Sequence, residues 1–127
     1  MKIWIVILLV SISCPVQGNA LEPGISSEID KLTELIRSSP CRFNRNGTWY
    51  SSSEAAEHIT KKYRYFLSKD LIKSSEDFIE YAATKSSLSG NYYLVSCLND
   101  ETVKCADWLK SELKKIRQMT PQLDSLR

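Results

Sequence analysis

Asn46-Gly47 stands between two short aromatic-bearing stretches, residues 41–45 and 48–50, and a capping box, Ser51 to Glu54, follows at once. The Asn-Gly pair favours a type I′ turn, because both central positions tolerate positive φ, and this predicts a β-hairpin carrying Phe43, Trp49 and Tyr50. The Ser51 hydroxyl is spaced to accept from the Glu54 backbone N–H while the Glu54 side chain reaches back, so a helix should start there. Its apolar face would run through Ala55, Ala56, Ile59, Tyr63, Phe66 and Leu67 and end near Ser68. A hairpin that feeds a helix with no linker leaves few ways to arrange the rest of the chain.

Ile25, Ile29, Leu32 and Ile36 recur at spacings of a helical face, which predicts a helix from about 26 to 38, with Ser26 or Ser27 as its cap and Pro40 as its stop. Ser74 or Ser75, followed by Glu76 and Asp77, opens another helix with Phe78, Ile79, Ala82 and Ala83 on its buried side. Gly90 ends a serine-rich break, and residues 92–97, Tyr-Tyr-Leu-Val-Ser-Cys, have the composition of a third strand. Ala106, Leu109, Leu113 and Ile116 define a last helix of about 104–118, after which Pro121 should leave a frayed tail. The expected fold is therefore α+β, about four helices packed with a small antiparallel sheet of about three short strands. The order shows no regular βαβ alternation.

Lys2 and the apolar run from Ile3 to Ile12 precede small residues at Gly18 and Ala20, the pattern of an export signal cleaved after Ala20. About ten apolar residues rise only about 15 Å as a helix, half of a bilayer's hydrocarbon core. Residues 21–127 would then form a single small domain with an ordered core over about 25–118. The expected location is the periplasm or the outside of the cell. Lipid anchoring through Cys14 is the alternative, although Ser11 stands where a lipobox usually has an aliphatic residue. With 17 Lys and Arg against 15 Asp and Glu, the net charge of +2 gives no field that would select nucleic acid.

Cys41, Cys97 and Cys105 remain if Cys14 leaves with the signal, an odd number in a compartment that favours pairing. Cys97 and Cys105 are nearest in sequence and flank the turn-like Asn99-Asp100, so a local bridge between them is the simplest closure. Cys41 pairing with either is equally compatible with the sequence. Three cysteines and the single His58 also spell a zinc site on paper, but without the close Cys-x-x-Cys spacing of structural zinc sites. No residue pattern implies a cofactor.

Several short motifs occur in order: residues 41–47 (Cys-Arg-Phe-Asn-Arg-Asn-Gly), Ala55 to Ile59 with Lys62-Tyr63, Glu76 to Ile79, Ser86 to Gly90 with Tyr93, and Trp108-Leu109. Together they resemble the YfeK-like family of small exported bacterial proteins, a domain of unknown function, over about residues 25–117. The resemblance implies export and leaves activity open. Asn44 stands where members commonly have an aliphatic residue. Cys97 and Cys105 lie outside the family pattern, which implies that they pair with each other and that Cys41 is the odd thiol.

Glu54, His58 and Lys62 follow one another at i, i+4 and i+8, a polar strip beside the apolar stripe of the second helix. If the hairpin tip and the serine-rich turn fold against that strip, Arg45 and Lys62 can hold an anionic group, with Asn46, His58, Ser86, Ser87 and Ser89 completing the cradle. The bland alternative makes Arg45-Asn46-Gly47 turn chemistry, Ser86 to Gly90 a helix exit, and His58 a partly buried residue hydrogen-bonded to a backbone carbonyl. An enzyme would need His58 beside Cys41 or a particular serine, and no Gly-x-Ser-x-Gly elbow or other local catalytic signature singles one out. Trp49, Tyr50, Tyr92 and Tyr93 form an aromatic platform for a partner, or simply core, if the hairpin pairs with the third strand. The expectation is a non-enzymatic binding domain whose partner is a protein or a small anionic envelope ligand, with a small hydrolase or thiol enzyme and a structural envelope protein as the other readings.

Overall fold

The computed structural model describes residues 21–98 and 101–124, with side chains through Met119. The expected signal, Cys14 and the Asn99-Asp100 turn lie outside the described residues. In chain order the elements are α1 (Pro23–Ser38), β1 (Cys41–Arg45), β2 (Thr48–Ser51), α2 (Ser52–Ser68), α3 (Ser75–Ala82), β3 (Leu94–Cys97), β4 (Val103–Lys104) and α4 (Cys105–Asp124). This is an α+β fold with one antiparallel sheet of four short strands in the order β2-β1-β3-β4.

The hairpin forms as its turn chemistry dictates. Asn46 and Gly47 have φ of 54° and 84°, and Arg45 pairs with Thr48 across the turn. Ser51 closes β2 and caps α2, accepting from Glu54 N at 3.2 Å, so strand and helix share a residue boundary. Ser74 caps α3 in the same way, accepting from Asp77 N at 3.0 Å. Helix α1 begins earlier than the serines suggested, because Pro23 occupies its first turn, where a missing N–H costs nothing. It ends before Ser39, which is extended as the residue preceding a proline must be.

Two departures concern the C-terminal third. A fourth strand, Val103–Lys104, pairs with β3 and turns directly into α4, so Lys104 is strand where the sequence places the start of the helix. Helix α4 also runs past the expected 118 to Asp124. A proline inside a helix deletes one backbone hydrogen bond but keeps a helical φ, so Pro121 does not end it there.

The sheet has two unlike faces. Cys41, Phe43 and Val95 are buried on the face that α2 and α4 cover, while Arg42 and Trp49 are exposed on the other. Helix α1 packs against α2, α3 and α4, and its Ile29, Leu32 and Ile36 are fully enclosed with Phe78, Ile79 and Leu109. Each such side chain contributes about 1.5–3 kcal/mol of burial. Ala82 and Ala83 are wholly buried where α3 leaves the core, as close helix packing requires of small residues. Arg117 of α4 reaches Glu28 of α1 and Glu76 of α3, and Glu28 in turn accepts from the buried Ser75 hydroxyl at 2.8 Å. That clasp ties three helices together at the surface. Among the described residues no helix is long and apolar enough to cross a membrane.

The disulfide joins Cys41 to Cys97, not Cys97 to Cys105, and the odd thiol is Cys105 rather than Cys41. The reason lies in strand pairing. β1 and β3 run antiparallel with Cys41 directly opposite Cys97, their Cα atoms 4.0 Å apart. Cys105 N–H donates to Tyr93 O at 2.9 Å, which sets Cys105 beside the far end of β3. Four residues of strand, roughly 13 Å, then separate it from Cys97, well beyond the ~7 Å Cα separation a disulfide can span. Burial pushes the Cys105 thiol up to about 12, so it is protonated and inert at neutral pH.

Candidate functional site

The helix-facing row of the hairpin ends in Arg45, one pleat beyond Phe43, and there the strand leaves the core and its side chain meets α2. His58 and Lys62 lie one turn apart on the facing side of α2, so the pleat of the strand and the pitch of the helix bring guanidinium, imidazole and ammonium together. The Ser86 to Gly90 turn approaches from the other side. It is closed by Gly90 N–H to Ser86 O at 2.9 Å, with Gly90 at a positive φ of 75°, and a bridge between Lys85 and Tyr92 returns the chain to the sheet.

Arg45 Nη1 lies 2.7 Å from His58 Nδ1 and 3.1 Å from Nε2. A guanidinium only donates, so the ring nitrogen that accepts from it carries no proton, and His58 Nε2 also lies 3.2 Å from Tyr93 Oη. Burial, then the charges of Arg45, Lys62 and Lys61, lower the His58 pKa to about 4, so the ring is uncharged at neutral pH. Arg45 Nη2 also donates to Tyr50 Oη at 3.2 Å, and its guanidinium lies 4.9 Å from the Tyr50 ring centre.

Lys62 Nζ donates to the Lys85 carbonyl at 2.8 Å and to Tyr93 Oη at 3.1 Å, and it sits 4.9 Å from the Tyr93 ring centre. Desolvation, followed by the charge of Arg45, holds its pKa below the usual lysine value. Among the described residues neither Arg45 nor Lys62 has a carboxylate in an ion pair. Two half-buried cations thus face one cluster with only neutral groups between them.

At the hairpin tip Asn46 Nδ2 donates to Ser86 Oγ at 3.2 Å, and Ser89 Oγ donates to Asn46 Oδ1. The buried Ser86 Oγ also accepts from Leu88 N and Ser89 N, which orders the turn. Ser87 lines a cleft between this turn and Lys62. The structure therefore places two hydrogen-bonded groups side by side, Arg45, His58 and Lys62 with the tyrosines and Asn46, Ser86 and Ser89 at the hairpin tip, with Ser87 at their margin.

Sequence reasoning missed the two tyrosines that hold the cluster together. Tyr93 is 5% exposed, yet its hydroxyl meets both His58 and Lys62. The signal was available in principle, since a tyrosine in a buried strand needs a partner for its hydroxyl. The expected platform of four aromatics divides between the faces of the sheet. Tyr50 and Tyr93 join the site, while Trp49 stays exposed on the open side and Tyr92 is exposed beneath the Lys104 ammonium, 4.3 Å from its ring centre.

Two clefts meet at this cluster. One, of about 350 Å³, lies between the hairpin and α2 and is walled by Phe43, Ala55, Ile59 and Cys105. The other, of about 410 Å³, lies towards the serine turn and Lys62. Arg45, Tyr50, His58 and Tyr93 line both. A thiol enzyme built on Cys41 and His58 is overturned, because Cys41 is bonded to Cys97 and offers no thiolate. The same bond removes two of the three sulfurs from the zinc arrangement. His58, with its basic nitrogen against a guanidinium, is a weak proton acceptor at neutral pH.

No curated protein and no solved structure matches the chain. A family model matches residues 23–117, from the first turn of α1 to the Arg117 clasp, and by it the chain belongs to a family of unknown function, DUF5329.

Proposed function

We propose that this protein is a non-enzymatic binding domain, exported to the periplasm or secreted, that holds a small anionic ligand between Arg45 and Lys62. The pairing of these two half-buried cations with neutral donors and no carboxylate carries the reading. An anion entering there gains charge-assisted hydrogen bonds from both. It also relieves the repulsion from Arg45 that, after desolvation, lowers the Lys62 pKa. The neutral His58 and the hydroxyls of Tyr50 and Tyr93 orient the cations without cancelling their charge.

A thermal-shift titration with phosphate, sulfate and acetate tests this directly. Binding to the folded state raises the melting temperature by mass action, and the rise should vanish in folded Arg45→Ala and Lys62→Ala variants. An unchanged melting temperature at 50 mM of each anion would sink the reading. Export is supported by the Lys2 to Ala20 pattern and by the likeness of the short motifs to the YfeK-like family. It predicts a mature N-terminus at Leu21 in cell fractions, whereas an intact Met1 or a lipid on Cys14 would refute cleavage at that site.

A second reading rests on the open face of the sheet, where Trp49 is 39% and Leu98 78% exposed. Such a face suits a protein partner. Trp49→Lys should then abolish complex formation in cells while leaving anion binding intact.

A further inference from the structure

The chemistry of the two clefts goes further than the charge of the ligand. We infer, on the strength of the anion-binding reading, that the ligand is an amphipathic acid: an acid group between Arg45 and Lys62, joined to an apolar aryl or acyl body that fills the cleft between the hairpin and α2.

Three observations converge. First, the cleft between hairpin and α2 has the size of a small-molecule site, about 350 Å³. Its walls are Phe43, Ala55, Ile59 and the protonated thiol of Cys105, with side chains that belong to the main core. Those walls are already 0–7% exposed, so the cleft offers an apolar floor with little room for well-bonded water, and an apolar body makes packing contacts there that a simple oxyanion at Arg45 does not. Second, the Arg45, Tyr50, His58 and Tyr93 cluster borders both clefts, so an acid group held there lies at the mouth of the apolar one. Third, Glu54, Glu57 and Lys61 line the outer rim of the apolar cleft, and Glu57 is ion-paired with Lys61 at 3.4 Å. Glu54, with no ion-pair partner among the described residues, repels a second negative charge there. The ligand therefore carries its acid at one end and is uncharged at the other.

Calorimetric titration of the full protein at pH 7 with a homologous series tests the inference. Acetate, butanoate and octanoate probe chain length, 3-phenylpropanoate an aryl body, octanol the need for charge, and octanedioate the uncharged far end. Octyl phosphate beside inorganic phosphate distinguishes a phosphoryl from a carboxyl head. Octanoate or octyl phosphate should bind at least thirtyfold more tightly than the short anion with the same head, about 2 kcal/mol. Octanol should bind at least tenfold more weakly than octanoate, and octanedioate likewise. Arg45→Ala should abolish the advantage of the acid over the alcohol, with circular dichroism confirming the fold. The wild-type series decides the matter even if that variant unfolds. Short anions that bind as tightly as long ones would overturn the amphipathic ligand and leave the anion site standing. Octanol equal to octanoate would overturn both, as would no binding by any of the probes. Octanedioate equal to octanoate would refute the assignment of one charged end.

Discussion

Reduction of the Cys41–Cys97 disulfide should cost this domain more stability than any single side chain on its surface. The bond closes a loop with a sequence separation of 56 that contains the hairpin, α2 and α3. Freeing that loop in the unfolded chain releases about 14 cal/mol/K, or about 4 kcal/mol at 25 °C, in the chain-entropy treatment. A bridge between Cys97 and Cys105 would close only eight residues and give about 2.5 kcal/mol by the same relation. Urea denaturation with and without reductant separates the cases, because reduction of wild type leaves every side chain in place. With a slope of roughly 1–2 kcal/mol/M for a domain of this size, the midpoint should fall by roughly 2–4 M. Cys105→Ala should show the full reductant effect, and the Cys41→Ala, Cys97→Ala double variant should show none. Reductant sensitivity that survives in Cys41→Ala, or disappears in Cys105→Ala, would refute the pairing. A loss below about 1 kcal/mol would refute the loop argument itself.

Three further outcomes follow from particular contacts. His58, lowered from 6.5 to about 4 in the folded state, binds its proton more readily when unfolded, so stability should fall as the pH drops from about 6.5 towards 4; His58→Gln should flatten that window, and a His58 NMR titration midpoint near 6.5 would contradict the buried, cation-flanked ring. Glu28 and Glu76, held below their ordinary values chiefly by hydrogen bonds from Arg117, lose their contribution only below about pH 4.5. Arg117→Ala should cost about 1 kcal/mol by unfastening α4 from α1 and α3, measured by urea titration, with a salt dependence that the variant lacks. Gly47→Ala meets no atom within 4 Å but must hold a φ of +84°, so it should destabilise by about 1–2 kcal/mol through backbone strain alone, and a neutral substitution would refute the turn assignment.

Local chemistry was sufficient wherever a residue's role depends on its neighbours in the chain. The Asn46-Gly47 turn, the cap at Ser51, a cap at one of Ser74 and Ser75, and the apolar stripes of four helices are read from spacing because a hairpin turn and a helical face are local objects. The candidate site was partly legible for the same reason. His58 and Lys62 must share a helix face, and a hairpin that runs straight into α2 must bring Arg45 near it. Tyr50 and Tyr93 were not legible as site residues, because which face of the sheet a tyrosine occupies depends on register, and a shift of one residue reverses it.

The division is sharpest at the cysteines. The sequence by itself determined that Cys41, Cys97 and Cys105 cannot all pair with one another, and that helices and a small antiparallel sheet would share one core. Only the tertiary structure decided which cysteine is odd, since proximity along the chain favoured Cys97 with Cys105 while the β1–β3 pairing set Cys41 opposite Cys97. The same pairing, with α2 and α4 covering one face, placed two cations and two tyrosine hydroxyls beside an apolar cleft. Such long-range register is set by the sum of many weak burial terms over the whole sheet, and no short stretch of residues contains it.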